Sequence, residues 1–531
     1  MFHNAMISAC LIIVLLVCCP ALAAKGDKKG QLEEASAFFA EGLVPRFRIE
    51  LAQSEMDELR RNAREYVRCT VRESTPGRPD KVYANVGIHL KGGAGSFRGL
   101  EANPALTLNF NKFTRGQRFR GLEKIHLNNS VQDASLLNEH VGRSIFRDAG
   151  IPTPRGSHAR VWLNGKDLGV YVLLEGFDDV FLKTFFGDDS GPVYESQIQE
   201  ISPNLAAKTN EKVANRERLK ELIDAAREND PIKRRERLDK ILDVDRFLTF
   251  IAVEALIAHW DGYAGNRNNY RIYDDPASGK LVFLPHGMDQ IFAQPNFPII
   301  LQTGWLARLL TESPEDRAQY LDRLAELRAK VMDPDRVVAH IDRFSQQAMP
   351  ALAEVSHRAA QYHKELAENL RRQVRERVKN VDQQIAAIPR PLRFSAEGTA
   401  ALGQWQPRVE GGNTKTERVK DGDIPCLYIG ADGGSSASWR TTALLTRGRY
   451  VLEGRVRTAG VVAPDGPGTG AGLRISGGQR VNRLAGDSQW QNLEHEFEVA
   501  EPTREVMFVC ELKATAGQAW FDEGSLRLRK R

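Results

Sequence analysis

Cysteine is scarce. Of six in 531 residues, three fall among the first 19 positions and the others, Cys69, Cys426 and Cys510, stand far apart. That excludes a disulfide framework and a metal-spaced cysteine set, and leaves at most one bridge, Cys426 to Cys510. No Lys, Arg, Asp or Glu precedes Lys25. The apolar run "MISACLIIVLLVCC" in that uncharged start is too short to span a bilayer comfortably and leads to Ala21-Leu22-Ala23, so residues 1–24 read as a cleaved export signal. The usual basic flank is missing there, and an uncleaved anchor or a lipoprotein site at Cys18 or Cys19 stays open. The rest of the sequence holds no transmembrane-like run. The expected location is secreted, periplasmic or cell-surface, with no integral membrane span after signal cleavage. Internal repeats and long low-complexity segments are also absent. So is a basic patch: 74 Lys and Arg against 69 Asp and Glu leave +5, spread over many helical segments, which argues against nucleic acid as a partner.

What remains is globular material, 42% hydrophobic and 27% charged, enough for two or three domains. "RFRIEL", "YVRCTVRE", "KVYANVGIHLK" and "ALTLNFN" alternate as strands do, with a short helix from about Ser54 and another over Ala134–Ala149, stopped by Gly150 and Pro152. "HARVWLNGKDLGVYVLLEG" predicts a hairpin, because Asn164-Gly165 suits a turn that demands positive φ. This first half reads as a mixed sheet with few helices. Helical periodicity follows from about Asn210 and from Pro231. Then comes "DVDRFLTFIAVEALIAHW", apolar nearly all round and so a central core helix, with Asp243 or Asp245 as its cap. Helices return at Ser313-Pro314 and from Asp333 to about Ala387. At "IPRPLRF" the pattern changes to short strands separated by glycine, which places a domain boundary near residue 390 and predicts an antiparallel β-sandwich or jelly roll over 395–531.

The most informative stretch is "HWDGYAGNRNNYRIYDDPASGKLVFLPHGMDQIF", His259 to Phe292. Asp261 opens a loop, Asn266 follows five residues later, two strands run out and back, and Asp289 comes next. Phosphoryl transfer needs one carboxylate to orient and deprotonate the acceptor hydroxyl, an Asn nearby for metal, and a second carboxylate on the metal that bridges the phosphates. The bland alternative is that these residues are caps and turn formers.

The sequence resembles the CotH kinase family, secreted or spore-coat proteins of an atypical protein-kinase-like fold, over about residues 43–390. The resemblance is carried by "FRGL", "DASLLNE", "GIPTPR", "LNG..LGVY" and "NNYRIYDDPASGKLVFLPHGMD". It implies an α+β architecture, a mixed-sheet lobe plus a helical lobe, followed by the C-terminal sandwich. It implies Asp261 as catalytic base, Asp289 and Asn266 as metal ligands, and Asn269 in the same loop as a cofactor contact. Glu175 would hold a lysine or a metal, unless it is an ordinary surface Glu. Lys91 and Arg98, flanking the Gly-rich "LKGGAGSFRG", would contact phosphates whose remaining oxygens meet backbone N–H groups. ATP with Mg²⁺ or Mn²⁺ is the implied cofactor. Two departures weaken the set: Gly287 stands where many members have a carboxylate, and Asn103 where many have Lys.

Two functions follow. One is an ATP-dependent kinase acting on Ser or Thr of exported proteins. The other is an inert kinase-like surface or coat protein whose C-terminal sandwich binds polysaccharide, with Trp405, Trp439, Trp490 and Trp520 as sugar-stacking candidates, although sandwich cores also use Trp and each reads more readily as core. A two-carboxylate glycosidase is a third, weaker reading.

Overall fold

The computed structural model describes residues 28–531 apart from Ala94 and Pro467. The export-signal segment lies outside the described residues. Among those described, no helix is long and apolar enough to cross a membrane.

The alternating segments form the mixed sheet that their pattern suggests, and that sheet closes into a barrel. Its strands are β1 (Arg46–Glu50), β2 (Val67–Ser74), β3 (Lys81–Lys91), β4 (Ala105–Asn109), β5 (Lys124–Asn128), β6 (Gly156–Leu163) and β7 (Lys166–Glu175), in the order β1-β2-β3-β4-β5-β7-β6. Closure comes from one parallel pairing, Arg46–Ile49 of β1 against Arg160–Leu163 of β6. That pairing leaves no free edge. Along β2 buried and exposed residues alternate, whereas β4 is buried throughout. The interior holds Phe47, Ile49, Val71, Ile88, Leu106, Leu108, Ile125, Leu127 and Leu173. Two helices flank β1: α1 (Lys28–Glu41) and α2 (Gln53–Arg61). The β6–β7 turn forms as predicted, with Asn164 at φ 45° and Gly165 at φ 80°.

Helix α3 (Asn138–Asp148) starts four residues later than its pattern suggests, because Asp133 gathers the backbone N–H groups of Ser135 and Asn138 in a turn before it. After α4 (Asp179–Phe186), a four-stranded antiparallel sheet is built from β8 (Val193–Glu195), β9 (Ala206–Thr209), β10 (Tyr270–Asp275) and β11 (Lys280–Pro285). Helix α5 (Arg216–Ala226) begins at an Asn215 cap, short of the Asn210 start expected, and α6 (Pro231–Ile241) and α7 (Val244–Leu256) follow. Asp243 caps α7, and every residue from Phe247 to Leu256 is buried. A short turn α8 (Tyr263–Asn266) and helices α9 (Trp305–Glu312), α10 (Pro314–Lys330), α11 (Pro334–Val355) and α12 (His357–Ala387) complete the helical part. Outer residues of β7, Val170, Val172 and Leu174, pack on Ala348, Ala351 and Leu352 of α11, so barrel and helices share an apolar seam.

From Thr399 the described chain is almost entirely strand: β12 (Thr399–Ala401), β13 (Gln406–Asp421), β14 (Ile424–Val462), β15 (Gly470–Ile475), β16 (Gly486–Asp522) and β17 (Arg527–Lys530). They form one connected sheet that bends back on itself, since Val456 of β14 faces both Gln491 and Phe521 of β16. Its core contains Trp405, Leu427, Trp439, Phe508 and Phe521. Trp405 and Trp439 are therefore core residues and not sugar platforms, while Trp490 and Trp520 are half-buried. The Cys426–Cys510 bridge does not form. Cys426 sits opposite Asp522 and Cys510 opposite Trp439, far apart along the ladder, and all three described cysteines are free and buried.

Candidate active site

Helix α7 ends at Leu256 and delivers the chain to His259, Trp260 and Asp261. Three amide side chains hold the Asp261 carboxylate: Asn266 donates to Oδ1 at 2.6 Å, and Asn268 and Asn269 donate to Oδ2 at 3.0 and 2.8 Å. Asn269 also bonds the Asp261 carbonyl at 3.1 Å. A carboxylate has about four acceptor sites, so Oδ1, with one donor, keeps a lone pair. The loop rests on Glu254, a fully buried α7 residue whose two oxygens accept the backbone N–H groups of Tyr263 and Ala264 at 2.8 and 2.9 Å. Burial pushes the Glu254 carboxyl up to about 8, against those two hydrogen bonds. Gly262 is needed here, since a Cβ would overlap a Glu254 oxygen.

His259 joins this loop to the next acid. Its Nε2 donates to the Gly287 carbonyl at 3.0 Å, two residues before Asp289. The Asp289 carbonyl in turn accepts from Asn138 in the first turn of α3 at 2.9 Å. Burial, then the charges of Glu139, Asp133 and Asp261, push the Asp289 carboxyl up to about 7. Gly287, at φ 62°, cannot carry the carboxylate that the resemblance expects: a Cβ there would overlap Asn269 Oδ1.

From the barrel side, Lys91 at the end of β3 donates its ammonium to Asn128 Oδ1, while Asn128 Nδ2 lies 3.5 Å from Glu139 Oε1. Glu139 is buried and paired with Arg143 at 2.9 Å. Burial lowers the Lys91 ammonium to about 8, opposed by Glu139 and Asp289. A lysine and a helix glutamate thus meet through an Asn amide beside Asp289.

The structure therefore brings together Asp261, Asn266, Asn269, Asp289 and Lys91, and separates two expected residues from them. Glu175 is buried and gives both oxygens to Arg155, at 2.9 and 2.5 Å, so Glu139 occupies the lysine-facing place instead. Arg98 donates to the carbonyls of Gly95 and Phe97 in its own loop, at 3.0 and 2.7 Å. Asn269 spends both amide hydrogens on Asp261, which makes it a positioning residue for that carboxylate. Asn103 is exposed, and its carbonyl accepts from Asn129. Sequence reasoning missed Glu139, Asn128, Glu254 and His259. Only His259 had a local signal, its place two residues before Asp261.

A divalent cation fits the acids present. Among the described residues, no three His, Cys, Asp or Glu side chains form a metal-holding group. Mg²⁺ needs none, since one or two carboxylates with phosphate and water oxygens complete its shell. The raised Asp289 carboxyl, set against Glu139, Asp133 and Asp261, marks negative charge that a cation would relieve.

Residues 88–385, more than half of the chain, match the family described as CotH kinase protein. The chain belongs to that family. The inner spore coat protein H of Bacillus subtilis is 26% identical over 191 residues, which cover 33% of this chain and 52% of that protein. The chain thus spans about half the length of this curated CotH relative. Among solved structures, the Helicobacter pylori proinflammatory kinase CtkA aligns with 53% of this chain and 94% of its own, at 10% identity and a TM-score of 0.28. A carbohydrate binding module from Cellvibrio mixtus lichenase 5A, in complex with cellotriose, aligns with 23% of this chain and 90% of its own, at 17% identity and a TM-score of 0.16.

Proposed function

We propose that this CotH-family chain is an ATP-dependent protein kinase that transfers the γ-phosphoryl group to Ser or Thr hydroxyls of exported or surface proteins. The observation that carries the reading is the His259 tether, which links an amide-held carboxylate to the loop of a half-buried, charge-crowded one. Asp261 Oδ1 keeps the lone pair that accepts the hydroxyl proton. Asp289, with the carbonyl oxygen of Asn266, would hold Mg²⁺ or Mn²⁺, and Lys91 would donate to phosphate oxygens. Bound nucleotide with its cation supplies the transferable group and neutralises its charge. The Gly-rich turn after β3, with Gly92 and Gly95 at φ 108° and 83°, would turn backbone N–H groups to the phosphates. The test is to incubate the purified protein with labelled ATP and Mn²⁺. Label on Ser or Thr is expected, and a wild-type protein that binds no nucleotide at saturating Mg²⁺ or Mn²⁺ overturns the reading.

A second reading concerns the C-terminal region. An open trough of about 380 Å³ is lined by Asn413, Lys415, Tyr428, Asp432 and Gln518, with Gly430 and Ala459 among its smaller lining residues. Trp520 stands beside it, 5.3 Å from the Tyr428 ring. Aromatic surface flanked by amide and charged groups suits a polysaccharide, and we assign this trough as the glycan-binding surface. Retention of the full chain on insoluble glycans, lost in Tyr428→Ala, is the check.

A further inference from the structure

We infer that Ile198 and Trp260 form a selectivity surface beside the Asp261 carboxylate, for a polypeptide acceptor whose Ser or Thr is flanked by a large apolar residue. The inference rests on the kinase reading and adds to it the chemistry of the acceptor. Ile198 is 60% exposed and Trp260 37% exposed. Both belong to the immediate surroundings of the base. Trp260 precedes Asp261 in the chain. Ile198 donates its N–H to Asn268 Oδ1 at 3.3 Å, and Asn268 donates to Asp261 Oδ2 at 3.0 Å.

Ile198 is held out in a conformation its own chemistry resists. It has φ 48°, a region that β-branched residues avoid and that Gly or Asn would occupy with little strain. The loop around it is anchored on both sides. Ser196 Oγ donates to the Gln199 carbonyl at 3.0 Å, and Tyr270 Oη donates to the same carbonyl at 3.0 Å. Glu200 accepts from Tyr263 Oη at 2.9 Å and from the Trp305 N–H at 2.8 Å. A fixed loop thus presents a solvent-facing isoleucine next to a group that must receive a hydroxyl. Strain of this kind concentrates at functional sites.

Chain geometry bounds what can meet the pair. A hydroxyl bonded to Asp261 brings its own residue within hydrogen-bond reach, and consecutive Cα atoms are about 3.8 Å apart. The residues on either side of the acceptor therefore lie within about 10 Å of the carboxylate. An apolar neighbour there comes within reach of Ile198 and Trp260. A charged neighbour loses water against them without gaining a partner.

The experiment uses two fluorescent peptides with a single Ser, identical except that the positions beside it are Leu in one and Asp in the other. The full-length protein is expected to favour the Leu peptide about 10-fold in kcat/KM and in binding by anisotropy. Ile198→Gly, which suits the backbone, and Trp260→Ala should each cut the preference below about 3-fold by raising KM for the Leu peptide, with nucleotide affinity unchanged. Anisotropy reads the preference without catalysis. Selective binding with no transfer would thus remove the kinase reading while upholding the surface. Equal binding of both peptides by the wild type, a preference untouched in both variants, or lost nucleotide affinity in Ile198→Gly overturns the inference.

Discussion

The Asn-rich loop and the loop carrying Asp289 each bring one carboxylate to the candidate site and treat it in opposite ways. At Asp261 three amides supply hydrogen bonds and leave Oδ1 with a lone pair to accept. At Asp289 the surroundings supply burial and more negative charge, so its carboxyl is driven up to about 7. On the proposed reading, identical side chains are set for different tasks by their neighbours, one to take a proton and one to take a cation.

The comparison breaks most sharply under truncation. Asp261→Ala should reduce phosphoryl transfer by about 10² or more while leaving nucleotide affinity intact. Asp289→Ala should abolish metal-dependent nucleotide binding. Titration calorimetry alongside single-turnover transfer separates the two, and equal small losses in both would make these residues mere caps. Next in size is Gly287→Ala. A Cβ at φ 62° overlaps Asn269 Oδ1, and a cost of about 1–3 kcal/mol is expected in thermal unfolding. Adding Asn269→Ala should recover part of that stability without recovering transfer, because Asp261 then loses two bonds.

The pH dependence follows from the same contrast. Only ionised Asp289 binds a cation, so apparent Mn²⁺ affinity should fall about tenfold per pH unit below about 7. Above about 8 Lys91 loses its charge and nucleotide affinity should fall again. The smallest effect concerns stability without metal. The folded Asp289 carboxyl lies above its ordinary 3.8, so its ionisation opposes folding as pH rises from about 4 to 7. Asp289→Asn removes that opposition. It should stabilise the metal-free protein by about 1 kcal/mol at pH 8, less as the pH approaches 4, in paired melting curves.

Much of this was legible in the sequence because it is local. Period-two alternation marked the barrel strands, Asn164-Gly165 marked its hairpin, and the all-round apolar run marked α7. Barrel closure was not legible: it depends on a parallel β1–β6 pairing between segments far apart in the chain. In the site, Asp261, Asn266 and Asp289 shared one stretch and could be read together. Glu139 could not, because its approach to Lys91 is made by α3 packing against the barrel, with Asn128 between them. Glu175 looked suitable at the end of an apolar strand, yet Arg155 takes both of its oxygens. Gly287 read as a loss, whereas the close approach of Asn269 and a positive φ demand it.

Arg377 of α12 gives the site a place in time as well as in space. Its buried guanidinium donates to the carbonyls of Ala255 and Leu256, at the end of α7, and to those of Pro295 and Phe297, beyond Asp289. It stands 121 residues downstream of Leu256. A chain emerging from the ribosome N-terminus first, at about 5–20 residues per second, therefore makes Asp261 and Asp289 several seconds before the clasp that locks their loops. Until α12 has emerged and docked, the nascent protein carries both acids without the clasp that frames them.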